Sequence, residues 1–170
     1  KQAVVASPFK EELKKEWGST FLDKLEIEMK TFDPKIMEMR KQEIDLQTEH
    51  CELVAGAEIE FDGKTYNLEG MAPLQKDKNR SVRKHAWEAK FAWYEENAEA
   101  FDDLYDRMVK LRHKIATTLG YENFIELAYL RMGRIDYGPE EVARYRKQIV
   151  EQVVPVVRKL HEQKKKILGL

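Results

Sequence analysis

A chain of 170 residues is long enough for one domain, and a domain of that size buries roughly two-thirds of the surface its unfolded chain exposes. Thirty basic and 31 acidic residues cancel to a net charge of −1, so the basic excess that neutralises phosphates is missing and nucleic acid is excluded as a partner. Hydrophobic residues make up 42% and charged residues 36%, with mean hydropathy −0.66, a balance that suits amphipathic helices each keeping one wet face.

Cys51 is the single cysteine. It cannot form an internal disulfide, and a lone thiol points to a reducing, cytoplasmic setting. No apolar run approaches the roughly 20 residues that span a bilayer, and no signal-peptide pattern opens the chain, so a membrane is not expected as a partner. Lys1 to Val5 lacks an initiator Met, and Lys164 to Leu170 stops soon after a helical run. Both ends read as cuts, which predicts that residues 1–170 are a single helical region excised from a larger protein.

In chain order, Ser7-Pro8 predicts a helix start, with Phe9, Leu13 and Trp17 on one face and Gly18 as the stop. Ser19 or Thr20 is expected to cap the next helix, where Leu22, Leu25 and Met29 recur at the helical period. Asp33-Pro34 repeats the cap-plus-proline start. Ile36, Met37, Ile44, Gln47, Cys51 and Val54 then mark a longer helix ending at Gly56. The period changes at Ala57 to Phe61, which alternates; Asp62-Gly63 supplies a tight turn; and Lys64 to Leu68 alternates back. Asp-Gly between alternating runs predicts a β-hairpin over about residues 57–68.

Gly70, Pro73 and Lys76 to Asn79 read as a connector, with Asp77 as the cap of a helix carrying Val82, Ala86, Ala89 and Trp93. A break near Asn97 precedes a buried stripe of Phe101, Leu104, Met108, Leu111, Ile115 and Leu119, closed by Gly120. Phe124, Leu127, Ala128 and Arg131 form a short helix ending at Gly133. Pro139 starts the last helix, which runs past Val142, Tyr145, Ile149, Val153, Val156 and Leu160, and Pro155 is expected to kink it. The fold class is mainly α, a multi-helix assembly with one inserted hairpin and a Pro-kinked last helix.

The chemistry-bearing residues do not assemble into a known pattern. His50, His85, His113 and His161 each fall on a different helix or helix half, no pair is spaced i, i+4, and no Glu lies three before any of them, which disfavours a bundle di-iron site. His161-Glu162-Gln163-Lys164-Lys165 begins like the zincin motif H-E-x-x-H. Its fifth position is Lys165, whose ammonium has no free lone pair, so the second ligand is absent and a solvated charge cluster is expected.

Glu49-His50-Cys51-Glu52 concentrates ligand types, yet consecutive helical residues point about 100° apart and cannot converge on one ion. Cys51 has no identifiable partner His and reads as a small core thiol rather than a nucleophile. His85 and Glu88 read as a surface pair. P-loop, G-x-G-x-x-G and G-x-S-x-G motifs are missing. The aromatic stretch Trp87, Phe91, Trp93, Tyr94 and Phe101 fits either core packing or a peptide-binding groove. Tyr121, Tyr129, Tyr137 and Tyr145 leave the same choice open. No catalytic, cofactor-binding or metal role is assigned to any residue.

Several separated stretches together carry a resemblance. They are Ser7 to Leu13, the hairpin Ala57 to Leu68, Arg80 to Lys90, Leu119 to Tyr129, and Arg131 to Tyr137. Their order and spacing resemble the amino-terminal half of oligoendopeptidase F-type enzymes, in the thimet oligopeptidase family of zinc metallopeptidases. The resemblance implies a largely helical ellipsoid with a deep channel that admits short peptides. It implies a zinc site on an H-E-x-x-H helix with a third Glu ligand further along, in a carboxy-terminal part outside this sequence.

This chain departs from the family pattern in lacking that helix, so no family site residue transfers to it and no cofactor is expected here, with zinc in the intact parent. The resemblance implies an upstream portion of a peptidase that lines part of the substrate channel and is inactive alone. Its implied partners are the remaining catalytic part and short peptide substrates. The alternative is a free-standing helical interaction module without enzymatic activity.

Overall fold

The computed structural model describes residues 2–169; Lys1 and Leu170, named above at the two ends, lie outside the described residues. The elements in chain order are α1 (Gln2–Val5), α2 (Lys10–Trp17), α3 (Ser19–Thr31), a 3-10 turn (Pro34–Ile36) running into α4 (Met37–Ala55), β1 (Ile59–Phe61), β2 (Lys64–Tyr66) and α5 (Met71–Leu74). Then follow α6 (Arg80–Glu96), α7 (Ala98–Thr118), α8 (Phe124–Arg131), α9 (Pro139–Gln148), a π-helical run (Ile149–Val153) and α10 (Val154–Leu168). The fold is mainly α with one inserted hairpin. The chain divides into two compact units, one built from its two ends (residues 1–32 and 123–170) and one continuous (residues 33–122).

The continuous unit starts at a cap legible in the sequence. The Asp33 carboxylate accepts the Lys35 N–H at 2.9 Å, and Pro34 occupies the first position, where its missing donor costs nothing. In the hairpin, Asp62 (φ 51°) and Gly63 (φ 72°) both take positive φ, the geometry of a type I′ turn, which sets the register Ile59 opposite Tyr66 and Phe61 opposite Lys64. A two-stranded hairpin is marginal alone. This one leans on α6, and Ala57, Ile59 and Leu68 bury themselves with Met71, Ala86 and Trp93 in one apolar cluster.

Three expectations shift here. The connector after the hairpin holds a helical turn, α5, whose Met71 is fully buried. The cap of α6 is Asn79, which accepts the Ser81 N–H at 2.9 Å, while Asp77 serves one step earlier by accepting the Asn79 N–H at 2.7 Å. At α4 the inward face is only partly the expected one: Ile36 is buried as expected, but Met37, Ile44 and Cys51 are exposed, and Glu43 is buried.

The break at Asn97 lies where expected. Its backbone and side-chain N–H groups both reach the Trp93 carbonyl, at 3.2 and 2.8 Å. The α7 stripe is inward as expected, with Leu104 and Ile115 buried. Gly120 (φ 92°) ends α7 in a Schellman motif, with Tyr121 N–H donating to the Ala116 carbonyl and Gly120 N–H to that of Thr117.

In the unit built from the chain ends, the Ser7 hydroxyl accepts the Phe9 N–H at 3.2 Å ahead of α2. The cap position of α3 is Gly18, so Ser19 and Thr20 lie inside the helix. α3 packs on α8, and each carries one fully buried leucine, Leu22 and Leu127. At Pro155 the last helix is joined across a π-helical run. A proline inside an α-helix lacks the donor to residue i−4 and its ring clashes with that carbonyl. The turn ahead of it widens to a π-helix, with Val154 N–H reaching back to the Ile149 carbonyl, and α10 restarts with Pro155 in its first turn.

The start of α9 carries a pH dependence. The Glu141 carboxylate accepts the Gly138 N–H at 2.9 Å and pairs with Arg144 at 2.6 Å. Backbone N–H donation, first from Gly138, and then Arg144 hold its pKa below the ordinary value of 4.5. A carboxylate depressed in the folded state stabilises fully above its unfolded pKa and loses that contribution as pH falls through the folded one. The first turn of α9 is therefore expected to stay formed at neutral pH and to loosen below about pH 4.5. An NMR titration of the Gly138 amide checks this, and a flat shift down to pH 3 would contradict it.

Candidate functional site

The residues that a sequence reader would test for chemistry are dispersed by the fold, each with its own neighbour. On α10, Lys165 Nζ lies 3.4 Å from Glu162 Oε1, so the cation at the position of the missing zincin ligand pairs with the motif's carboxylate. His161 is exposed beside them. On α4, Glu49 turns to Arg107 of α7 at 2.6 Å, His50 meets the Phe101 ring edge-on with centroids 5.8 Å apart, and Cys51 is exposed rather than in the core. His85 Nδ1 lies 3.5 Å from the Ser81 hydroxyl, whereas Glu88 pairs with Lys84 at 3.5 Å. The expected His85–Glu88 pair is thus replaced by two i, i+4 pairs within the same helix. Among the described residues, no group of three or more His, Cys, Asp or Glu side chains converges as a metal site would require.

The aromatic stretch divides between core and surface. Trp93 is 9% exposed and meets Tyr94 and Phe101 edge-on at 5.1 and 6.0 Å. Trp87 and Phe91, one turn apart on α6, stack at 5.4 Å with their planes 16° apart and stay 47% and 54% exposed. The spacing explains the split: Val82, Ala86, Ala89 and Trp93 form the inward face, and residues 87 and 91 point about 100° away from 86 and 90. Tyr145 is exposed as well, while Tyr129 and Tyr137 flank the Arg134 guanidinium at 4.4 and 5.3 Å from their ring centroids.

Two further features escaped the sequence. One is an apolar hollow of about 600 Å³ between α4 and α7, lined among others by Leu46, His50, Cys51, Phe101, Tyr105 and Met108. Its lining is mostly apolar, which suits an apolar side chain. The other is Glu43, buried on the α4 face that meets α7, where it accepts from Arg112 Nε at 2.8 Å and from Arg40. The available signal was Glu43 lying seven residues after Ile36, on the same helical face.

A model of peptidase family M3 matches residues 73–170, more than half of the chain, from within α5 through α10. This chain belongs to peptidase family M3. Solved structures extend the likeness across the whole M3 chain. PZ peptidase A, solved with an inhibitor, is 41% identical with TM-score 0.93, over 99% of this chain and 30% of its own. A protein described as an oligoendopeptidase F from Bacillus anthracis is 38% identical with TM-score 0.92, over 99% of this chain and 31% of its own. Another described as oligoendopeptidase F is 38% identical, TM-score 0.92, over 97% and 29%. The M3 chain therefore spans about 30% of the length of the solved chains it matches. A comparison with curated proteins gives no match. No helix of the described residues is long and apolar enough to cross a membrane.

Proposed function

We propose that residues 1–170 are one helical region, the upstream portion of a larger M3 peptidase that hydrolyses short peptides. In that protein they form part of the wall of a substrate channel, in the cytoplasm. The observation that carries the reading is the match to peptidase family M3 together with close likeness to 30% of much longer peptidase chains. The family's zinc chemistry would polarise a peptide carbonyl and activate water. The described residues do not fit that metal, since Lys165 pairs with Glu162 where a second imidazole is required, so no step through zinc is assigned to them. What this chain contributes is a helical wall that limits access to unfolded peptides, with the metal ligands further along the parent chain.

The test is direct. The purified chain is expected to carry no stoichiometric zinc and to leave short fluorogenic peptides intact. Tight one-to-one zinc with peptide hydrolysis would overturn the assignment. The exposed Trp87–Phe91 stack favours a second reading, a helical interaction module that uses this pair as an anchor. Coding sequence beyond Leu170 separates the two, because a downstream H-E-x-x-H supports the peptidase and an immediate stop codon supports the module.

A further inference from the structure

Every residue of α10 from Val156 onward is exposed, and so is Gly169 after it. A helix of fifteen residues with no tertiary cover is marginal in water, because nucleation is costly and most helical stability comes from a packed apolar face. This helix has such a face. Val153, Val156, Val157, Leu160, Ile167 and Leu168 fall within about 120° of arc, and they are 40% to 84% exposed. Arg158 and Lys165, seven residues apart, lie about 60–80° of arc beyond one edge of the stripe, and Lys159 and Lys166 lie as far beyond the other. Lys164 sits within it, and Glu162, the one acidic residue of the helix, lies on the opposite side, where it pairs with Lys165 at 3.4 Å. The helix therefore presents an apolar ridge with one cation, Lys164, inside it.

From this face we infer that α10 is a docking ridge for the rest of the M3 peptidase chain, whose receiving surface is an apolar trough. The inference rests on the reading above and names the surface through which it works. Three observations favour this occupant over a membrane or a second copy. The M3 match runs through α10. The same arrangement, at TM-score 0.93, exists in a chain more than three times as long, so the missing cover is available in the same polypeptide. The ridge, moreover, continues through Val153 into the π-run, where Val150 is also exposed, so a partner would cover a length of helix rather than a tip.

The test uses PZ peptidase A with its matching 30% replaced by this chain. The hybrid is expected to fold, to cleave peptide, and to protect the α10 amides from hydrogen exchange about a hundredfold more than the isolated chain does. Val156→Asp/Leu160→Asp is expected to lower soluble active enzyme at least tenfold, whereas Glu162→Gln, on the far side of the same helix, leaves it unchanged. Should the double variant not fold, Val156→Ala keeps the question open to measurement, with α10 protection falling about tenfold and residues 33–122 unaffected.

A hybrid that neither folds nor cleaves brings down the peptidase reading and this inference together. An active hybrid in which both ridge variants retain activity and protection brings down the docking ridge alone. Equal α10 protection of the isolated chain on phosphatidylserine-containing vesicles would overturn the inference in favour of a membrane surface. Equal protection in a concentration-dependent dimer would do so in favour of a second copy.

Discussion

Replacing Trp93 with Ala is expected to lower the stability of the residue 33–122 unit by about 3–5 kcal/mol, the range for truncating a buried aromatic. The site gives little room to collapse. Trp93 is walled by Ala57, Ile59, Leu68, Met71 and Ala86 in the hairpin core, and its ring faces the edges of Tyr94 and Phe101. The substitution forfeits the transfer energy of the largest side chain there, leaves a cavity, and removes two ring contacts of about 0.5–1.5 kcal/mol each. The position also has its own optical readout. Trp17 and Trp87 are half-exposed and Trp93 is buried, so W93A is expected to shift the native emission to longer wavelength while lowering the urea midpoint. Trp87→Ala, which loses one exposed stack, should cost about 1 kcal/mol or less. Equal costs for the two would contradict the division of this stretch into core and surface.

Replacing Arg112 with Ala is expected to cost about 2–4 kcal/mol, because it removes a cation from a carboxylate that is 2% exposed. The penalty comes from desolvation: Glu43 stays where it is and must be accommodated with one fewer hydrogen bond from a charged donor. Glu43→Leu reverses the situation. The two arginines that lose the carboxylate have side chains 35% and 40% exposed, so water can take over their hydration, and an apolar residue enters an apolar seam. That variant should cost about 1 kcal/mol or less. Paired urea melts distinguish the cases, and a Glu43→Leu cost as large as that of Arg112→Ala would mean that the ion cluster itself stabilises the α4–α7 seam.

Glu43 also shows where the sequence misleads. Reading α4 by apolar residues selects Met37, Ile44 and Cys51, which the structure exposes. Of the expected residues Ile36 does face inward, but the face continues through Glu43, and a carboxylate on it hides the period from any hydrophobic count. Where the inward residues are apolar, as along α6 and α7, periodicity and structure agree. Turn chemistry was equally legible at Asp62-Gly63, because few residues tolerate positive φ, and at Asp33-Pro34, because a capping carboxylate followed by a ring with no N–H suits a helix start. Caps among clustered polar residues were less so: Asp77 and Asn79 both accept backbone donors there, and either could have been the cap.

The π-run before Pro155 could not be read in advance, since a proline inside a helix can be met by a kink, a break or a widened turn. For the site, the sequence already singled out Lys165 as the defect in the H-E-x-x-H-like run. The Lys165–Glu162 pair and the separate partners of Glu49, His85 and Glu88 depend on rotamers that no sequence pattern encodes.

The division of the chain into a continuous unit and one built from two ends bears on the order of events at the ribosome. Residues 33–122 hold every contact of the hairpin core and of the α4–α7 seam, so that unit is complete once its last helix has emerged. The other must wait, because the first partner of its α3–α8 packing is made long before the second. Until α8 emerges, α3 carries Leu22 exposed, the kind of transient apolar surface that chaperones hold. Residues 33–122 expressed alone are therefore expected to unfold cooperatively in urea, and chains halted after Glu122 to resist protease within that unit while α2 and α3 are cut. Uniform digestion of the halted chains would show instead that the two units form together.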